Sequence, residues 1–221
     1  MSFMKQVLLI ISVCLFSLTG IAQKEKFVKA METNIQSLQT VQSPEQWLEL
    51  SNTFERIAEA EKTEWLPYYY ASYAKVMNAF MSGGTGGAIT ADVADPAADK
   101  AEQLLNKAEA LSGENSEIFI IRKMIANLRM MADPMTRYQT YGPQGAEALA
   151  KAKQLDQNNP RVYLLEGQDK FYTPEQFGGS KAEAKKLFET SIEKFSSHST
   201  PSSLHPKWGL EQAKYFYEQC K

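Results

Sequence analysis

Apolar residues return every three or four positions along the chain from Phe27 onward, which is the spacing of helices that each bury one stripe. Strands are not indicated, because the pattern is not the alternation of apolar and polar residues that is typical of a half-buried strand. The pattern therefore predicts an all-helical protein with nine helices. The predicted helix around residues 118–128 is apolar nearly all round, because Phe119 and Met124 lie beside its stripe, and we expect it in the middle of the stack.

Prolines mark the predicted helix starts, because proline lacks an N–H and is tolerated at the first position of a helix but not inside one. Four prolines follow a residue that caps helix N-termini well. These pairs are Ser43-Pro44, Asp95-Pro96, Asn159-Pro160 and Thr173-Pro174. Pro143 falls at another predicted start, whereas Pro134 falls in a predicted connector. The sequence thus predicts that no proline lies inside a helix.

The segment 148–167, which reads ALAKAKQLDQNNPRVYLLEG, indicates a repeated helix pair. Its small and apolar positions, its polar turn and the following Tyr163 and Gly167 resemble the junction between successive tetratricopeptide repeats. The resemblance implies a solenoid of antiparallel helix hairpins, with about four hairpins and a C-terminal capping helix in one domain, residues 23–221. It also implies a small residue where two helices cross closely, and Lys123 departs from that pattern.

Successive helix pairs are spaced more widely than the roughly 34 residues of the tetratricopeptide family. The excess predicts loops at the equivalent turn of three hairpins, namely 82–95, 133–142 and 173–180. Equivalent turns of stacked repeats lie along one edge, where we expect a partner to bind. The candidate partner-binding residues are Arg137, Tyr138, Tyr141 and Phe177 on this edge, and Met124 and Gln168 on the inner face of the stack.

The first 22 residues have the features of a cleavable secretory signal. Lys5 supplies a basic start, and residues 7–18 form an apolar run too short to span a bilayer comfortably. A permanent membrane anchor is the alternative, and it requires about 20 apolar residues. The small residues Gly20 and Ala22 predict cleavage after Ala22 and a periplasmic or secreted protein. The signal and the 173–180 loop also resemble exported repeat proteins of Bacteroidota.

Charge and cysteine content narrow the range of partners. A formal net charge of −2 gives no electrostatic reason to expect nucleic acid, and no later segment is apolar enough for a second membrane span. Cys14 lies in the predicted signal, so only Cys220 remains after cleavage. We therefore expect no internal disulfide, although Cys220 can link two chains into a dimer.

Residue patterns for catalysis or metal binding are sparse. The two histidines, His198 and His205, lie in a polar connector, where a metal site would need carboxylates from elsewhere. The glycine-rich segment 83–87 lacks the Gly-Lys-Ser/Thr of a phosphate-binding loop, and neither a Gly-x-Ser-x-Gly nor a His-Glu-x-x-His motif occurs. No metal, cofactor or catalytic residue is predicted.

Two classes of function remain. A non-catalytic scaffold that binds an envelope protein or peptide is favoured, because stacked helix pairs provide an extended concave surface. The alternative is an envelope enzyme with an α-superhelical body, such as a peptidoglycan-cleaving transglycosylase, with Glu117 or Glu166 as its acid. A closed cleft around a desolvated glutamate would favour the enzyme, and an open groove would favour the scaffold.

Overall fold

The computed structural model describes residues 23–83 and 89–221, and this part of the chain is all-helical, without a strand. Residues 23–37 are helical and are called α1. The following helices are α2 Pro44–Glu61, α3 Trp65–Ser82, α4 Ala91–Ser112, α5 Ser116–Met131, α6 Pro134–Leu155, α7 Pro160–Tyr172, α8 Lys181–Ser197 and α9 Leu210–Gln219. The predicted signal, residues 1–22, and residues 84–88 of the glycine-rich segment lie outside the described residues.

From α2 onward, each helix packs against its neighbours in the sequence. Because α3 also packs on α5, and α5 contacts α7 through the Lys123–Asp169 ion pair of 2.9 Å, these three helices form one row. Helices α2, α4, α6 and α8 form a second row that packs along the first. The all-helical prediction is confirmed, and helix α5 is central as expected, with its apolar side chains buried.

Two of the proline-marked helix starts are confirmed. Pro44 is the first residue of α2, and the Ser43 hydroxyl accepts a hydrogen bond of 3.3 Å from the Gln46 N–H. Pro160 is likewise the first residue of α7, where the Asn159 side chain accepts from a backbone N–H of the first turn. Each cap satisfies an N–H group that has no partner within its own helix.

The predicted start at Asp95 is wrong, because α4 begins earlier, at Ala91. Pro96 therefore lies inside the helix, where it leaves one carbonyl of the first turn without its usual N–H partner. The extra turn is stabilised by burial of Ile89 just before it. It is also tied to α6, because Asp95 accepts two hydrogen bonds, of 2.6 and 2.9 Å, from the Arg137 guanidinium.

The predicted loop at 133–142 is also wrong, since these residues form the cap and first turns of α6. Asp133 caps the helix by accepting from the Thr136 N–H at 3.4 Å, it also accepts from the Thr136 hydroxyl at 2.7 Å, and Pro134 takes the first helical position. A capping residue followed by proline also marks the starts of α2 and α7, but the sequence interpretation assigned Pro134 to a connector. As a result, Pro143 lies inside α6 rather than at its start.

The connector between α7 and α8 is the one predicted loop that is non-helical apart from a single 3-10 turn, Glu175–Phe177. Thr173 ends α7 instead of beginning a helix. The turn closes so tightly that a Cβ on Gly179 would lie 1.7 Å from the Thr173 carbonyl oxygen. Gly178 has a φ of 91°, a conformation that glycine adopts without strain. The Gly178-Gly179 pair is therefore required by the backbone path.

Helices α5 and α7 differ in the residue that stands at the eighth helical position, where each packs closely against the next helix. In α7 this residue is Gly167, and a Cβ there would lie 2.5 Å from a ring carbon of Phe188 on α8. In α5 it is Lys123, whose residue is only 4% exposed. The lysine fits because α6 presents Gly145 to it, where a Cβ would lie 3.2 Å from the lysine Cδ. The small residue has moved to the partner helix.

Residues 198–209, here called the crossing segment, connect α8 to α9 by running back over α3. The Leu204 carbonyl accepts a hydrogen bond of 2.9 Å from the Tyr70 hydroxyl. Trp208 donates its indole N–H to the Tyr69 oxygen at 2.9 Å and stacks on the Tyr73 ring, with the ring centroids 4.4 Å apart. The face of α3 that points away from α2 and α4 is therefore covered by the chain itself.

A buried ion pair between α5 and α7 anchors the crossing segment. Arg161 of α7 is almost fully buried and pairs with Glu117 of α5 at 2.9 Å. The same guanidinium donates to the Pro206 carbonyl and lies 5.1 Å from the centre of the Trp208 ring. At its other end the segment reaches α1, where Ser203 donates to a glutamate at 2.9 Å. It thus joins the first helix to the seventh.

Candidate functional site

A groove opens between α4 and α6, and α5 forms its floor. Both flanking helices pack along α5 but barely touch each other, which leaves a cavity of about 600 Å³. We call this cavity the α4–α6 groove. Its lining residues are Glu102, Glu114, Phe119, Arg122, Ile125, Ala126, Arg129, Gln144, Glu147, Ala148, Ala150, Lys151 and Gln154.

The floor combines apolar and cationic side chains from one stripe of α5. Phe119, Arg122, Ala126 and Arg129 recur every three or four residues and so share one face of the helix. Ala126 and, on α6, Ala148 are small, which keeps the centre of the groove open. Sequence reasoning missed this site. The available signal was a pair of arginines at helical spacing on a helix that is otherwise apolar nearly all round.

Arg129 is held at the α4 side of the groove by two carboxylates. Its guanidinium donates to Asp99 and to Glu102, each at 2.8 Å. Burial disfavours the charged form, but these carboxylates outweigh it and raise the pKa of Arg129 above its usual range. The group therefore carries a fixed positive charge whose neighbours are already anionic.

Two further cations stand around the Phe119 ring. Arg122 and Lys151 each lie 5.9 Å from its centroid, which places a positive charge near a π face. Arg122 pairs with Glu109 of α4, and Lys151 pairs with Glu114 of the α4–α5 turn at 3.0 Å. The groove thus presents an aromatic floor with three cations around it.

The structure brings Arg137 and Tyr138 together on the first turns of α6. Arg137 is engaged by Asp95 and also donates to the Arg129 carbonyl at 3.1 Å, so its guanidinium joins α4 to α6. Tyr138 is 63% exposed and lies beside Gly142, whose added Cβ would be 3.2 Å from the ring. Only Tyr138 of this pair presents most of its side chain to solvent.

The other four predicted partner-binding residues differ from these two in exposure or in position. Tyr141 is half-buried on the next turn of α6. Phe177 is 72% exposed in the 3-10 turn before α8, so it does not tuck into its own hairpin. Met124 is only 6% exposed and belongs to the core, whereas Gln168 is half-buried on α7. None of the six residues lines the α4–α6 groove.

The two glutamates considered for catalysis are both engaged in ion pairs. Glu117 accepts hydrogen bonds from Tyr69 at 3.0 Å, Asn159 at 2.7 Å and Arg161 at 2.9 Å. Glu166 accepts from Lys153 with both oxygens, at 2.9 and 3.0 Å. Each carboxylate therefore joins neighbouring helices in a way that a structural role explains.

Within residues 23–83 and 89–221, no group of three or more His, Cys, Asp or Glu side chains is placed to hold a metal ion. His205 packs against Trp65, with ring centroids 5.8 Å apart, and burial lowers its pKa. Cys220 is a free, half-buried thiol whose pKa is raised by burial. No helix in the described part of the chain is long and apolar enough to cross a membrane.

Comparison with known proteins gives one informative likeness. No protein-family model matches the chain, and no curated protein matches it. Among solved structures, the chain is similar to the HusA haemophore from Porphyromonas gingivalis, with 34% sequence identity and a TM-score of 0.77. The match covers 88% of this chain and 92% of that one. It supports the expected likeness to Bacteroidota proteins and a binding protein rather than an enzyme, but not tetratricopeptide repeats in particular.

Proposed function

We propose that this chain, which belongs to the family of the HusA haemophore, is a non-catalytic binding protein that carries haem or a closely related tetrapyrrole. The observation that carries the proposal is the 34% identity to a haemophore over 88% of the chain. The α4–α6 groove supports it independently, because about 600 Å³ lies within the range of pockets that hold cofactor-sized ligands.

The groove has the chemistry that an amphipathic dicarboxylate such as haem requires. Phe119 and Ile125 offer an aromatic ring and an aliphatic surface to the macrocycle. Arg122, Arg129 and Lys151 lie around them and can donate hydrogen bonds to the two propionates. The ligand would thus lie with its ring on α5 and its carboxylates toward the cations.

The iron of haem would receive no side-chain ligand in this groove. Haem iron in proteins is held by His, Cys, Met or Tyr. None of these residue types is among the described residues that line the groove. Recognition would therefore rest on the macrocycle and the propionates, and metal-free protoporphyrin IX should bind with an affinity similar to that of haem.

The proposal is tested by titrating the purified protein with ferric haem and, separately, with protoporphyrin IX. Quenching of tryptophan fluorescence and the shift of the porphyrin absorption band report binding. We expect saturable one-to-one binding of both compounds. If neither compound binds, the proposed function is wrong, and if only haem binds, the groove without an iron ligand is not the site.

The same proposal includes the finer architecture and the export of the chain. The helix pairs α3–α4, α5–α6 and α7–α8 are proposed to be divergent tetratricopeptide-like hairpins stacked as a solenoid. Cleavage after Ala22 is proposed to release the protein into the periplasm or the medium. Intact-mass measurement of the exported protein tests the second point, because retention of residues 1–22 would contradict it.

Binding of an envelope protein or peptide is the second candidate function. It is favoured by the exposed apolar side chains at the α5–α6 corner, where Met135 is 91% exposed and Tyr138 is 63% exposed. A Met135→Ser, Tyr138→Ser double variant should lose envelope proteins that cross-link to the wild type. Unchanged cross-linking would remove this corner from consideration. The dimer through Cys220 is tested by a non-reducing gel.

A further inference from the structure

Every cation that lines the α4–α6 groove already has a carboxylate partner from the protein. The partner of Arg122 is Glu109, Arg129 has both Asp99 and Glu102, and Lys151 has Glu114. Glu147 of α6 lines the groove as well. Three cations thus face five carboxylates, and the site as a whole is not cationic.

This balance matters for a ligand with two carboxylates. A propionate that approaches Arg122 or Arg129 must share the guanidinium with an existing anion or displace it. Displaced glutamates stay within a few ångströms because they are anchored on α4, and like charges at that distance repel. The protein's own carboxylates therefore oppose ligand binding at the same atoms that attract it.

The geometry favours exchange of partners over rigid competition. Asp99 and Glu102 keep about half of their side chains in solvent, at 60% and 46% exposed, whereas Arg129 is at 16%. The arginine is therefore fixed while its anions can turn toward water. Because Arg129 has two carboxylate partners, it can exchange Glu102 for a carboxylate of the ligand and keep Asp99.

We propose that Glu102 and Glu109 of α4 act as built-in competitors that lower the affinity of the groove for dicarboxylate tetrapyrroles and so favour release of the ligand. The inference rests on the proposed function. It makes α4 the helix that sets affinity, while α5 provides the binding surface. It also predicts that this competition weakens binding through the carboxylates of the ligand and does not affect binding of its ring.

The test compares protoporphyrin IX with its uncharged dimethyl ester on two variants, Glu102→Gln and the Glu102→Gln, Glu109→Gln double variant. Glutamine keeps the length and one acceptor oxygen but removes the charge. We expect the double variant to bind protoporphyrin IX roughly three- to tenfold more tightly, as removal of two partly exposed like charges implies. The single variant should show a smaller gain, and the ester should bind all forms equally.

Matched controls separate this inference from the proposed function. Glu189→Gln removes an exposed carboxylate on α8, outside the groove, and should change neither affinity. The gain should shrink as salt is raised, because salt screens exposed charges. If both porphyrins bind but neither variant gains affinity for the acid form, the competition is absent while the proposed function stands. If the wild type binds neither porphyrin, the proposed function fails and this inference fails with it. The single variant, in which Arg129 keeps Asp99, decides the question if the double variant is poorly folded.

Discussion

The Lys123 side chain of α5 crosses α6 directly over Gly145, and there is room for it because glycine has no side chain. The Lys123 ammonium then pairs with Asp169 of α7 at 2.9 Å and donates to Asn127 at 3.0 Å. One residue therefore contacts three successive helices. Its charge is buried but paired and hydrogen-bonded, which is the condition under which burial of an ammonium group is tolerated.

Replacement of Gly145 by valine should destabilise the protein. The new side chain would push against Lys123 and Ala126, whose nearest atoms would lie 3.2 and 3.5 Å from the Cβ alone. We expect the free energy of unfolding to fall by about 1–3 kcal/mol, as for overpacking in other cores. Urea denaturation measures this loss.

The control for this experiment is Ala146→Val, because Ala146 is an exposed neighbour on the same helix. It introduces the same β-branched side chain without a contact to Lys123. Adding Lys123→Ala to the Gly145→Val variant should recover part of the loss, and strict additivity of the two changes would show that the clash is elsewhere.

Two further glycines should respond to alanine to different extents. Gly167→Ala places a Cβ 2.5 Å from the Phe188 ring and should cost ~1–3 kcal/mol. At Gly142 the added Cβ would lie 3.2 Å from the largely exposed ring of Tyr138, which is free to turn. The residue before Pro143 gains nothing from the helix propensity of alanine, because the proline ring disfavours a Cβ on a helical neighbour, so we expect Gly142→Ala to cost less than Gly167→Ala without stabilising α6. Thermal unfolding of both variants gives the comparison, and an equal or larger loss for Gly142→Ala would contradict it.

Local patterns were enough to predict the helical class, the central position of α5 and the capped starts at Pro44 and Pro160. They failed at α4 and α6 because a proline inside a helix is allowed when tertiary contacts outweigh the lost hydrogen bond. For Pro96 those contacts include the Asp95–Arg137 pair, whose partners are separated by 42 residues in the sequence. No local rule connects residues so far apart.

The groove was less accessible to prediction than the fold. Its existence depends on how far α4 and α6 diverge, and that angle is set by packing rather than by any motif. Lys123 was recognised from the sequence as a departure from the family pattern, and its explanation lay on another helix, at Gly145. Arg137 was chosen for its chemical type, but the structure engages it with Asp95.

The Asp95–Arg137 pair should make stability depend on pH in the acid range. The hydrogen bond from Arg137 lowers the pKa of Asp95 below its usual value, against a smaller opposing effect of burial. A carboxyl group with a lowered folded-state pKa contributes stability that is full above its unfolded pKa of about 3.9 and is lost as pH falls through the folded value.

Comparison of the wild type with Arg137→Gln tests this dependence. The stability difference between them should be present at neutral pH and should be lost in acid, as pH falls through the lowered pKa of Asp95. Chemical denaturation at a series of pH values measures it. Lys214→Gln, which breaks an exposed ion pair within α9, is the matched control and should show a smaller difference throughout. A difference that is constant with pH would mean that Arg137 stabilises the protein by packing alone.

Filling the groove should block the proposed ligand without harming the fold. Ala150 lines the groove and is exposed, so Ala150→Trp adds a large side chain where no core atom has to move. Affinity for protoporphyrin IX should fall at least about tenfold, which corresponds to ~1.4 kcal/mol. Ala182→Trp, at an exposed site on α8, should leave affinity unchanged. Equal affinity of both variants would place the ligand elsewhere.

The crossing segment has a consequence for the order in which the chain can fold. The hydroxyl of Tyr70 has its partner at Leu204, 134 residues later, and the partner of Tyr69 is Trp208, 139 residues later. In an open array of repeats each unit is complete once its neighbour has formed. Here the aromatic face of α3 stays uncovered until nearly the whole chain is present, so we expect closure of this long loop to be a late and slow step of folding.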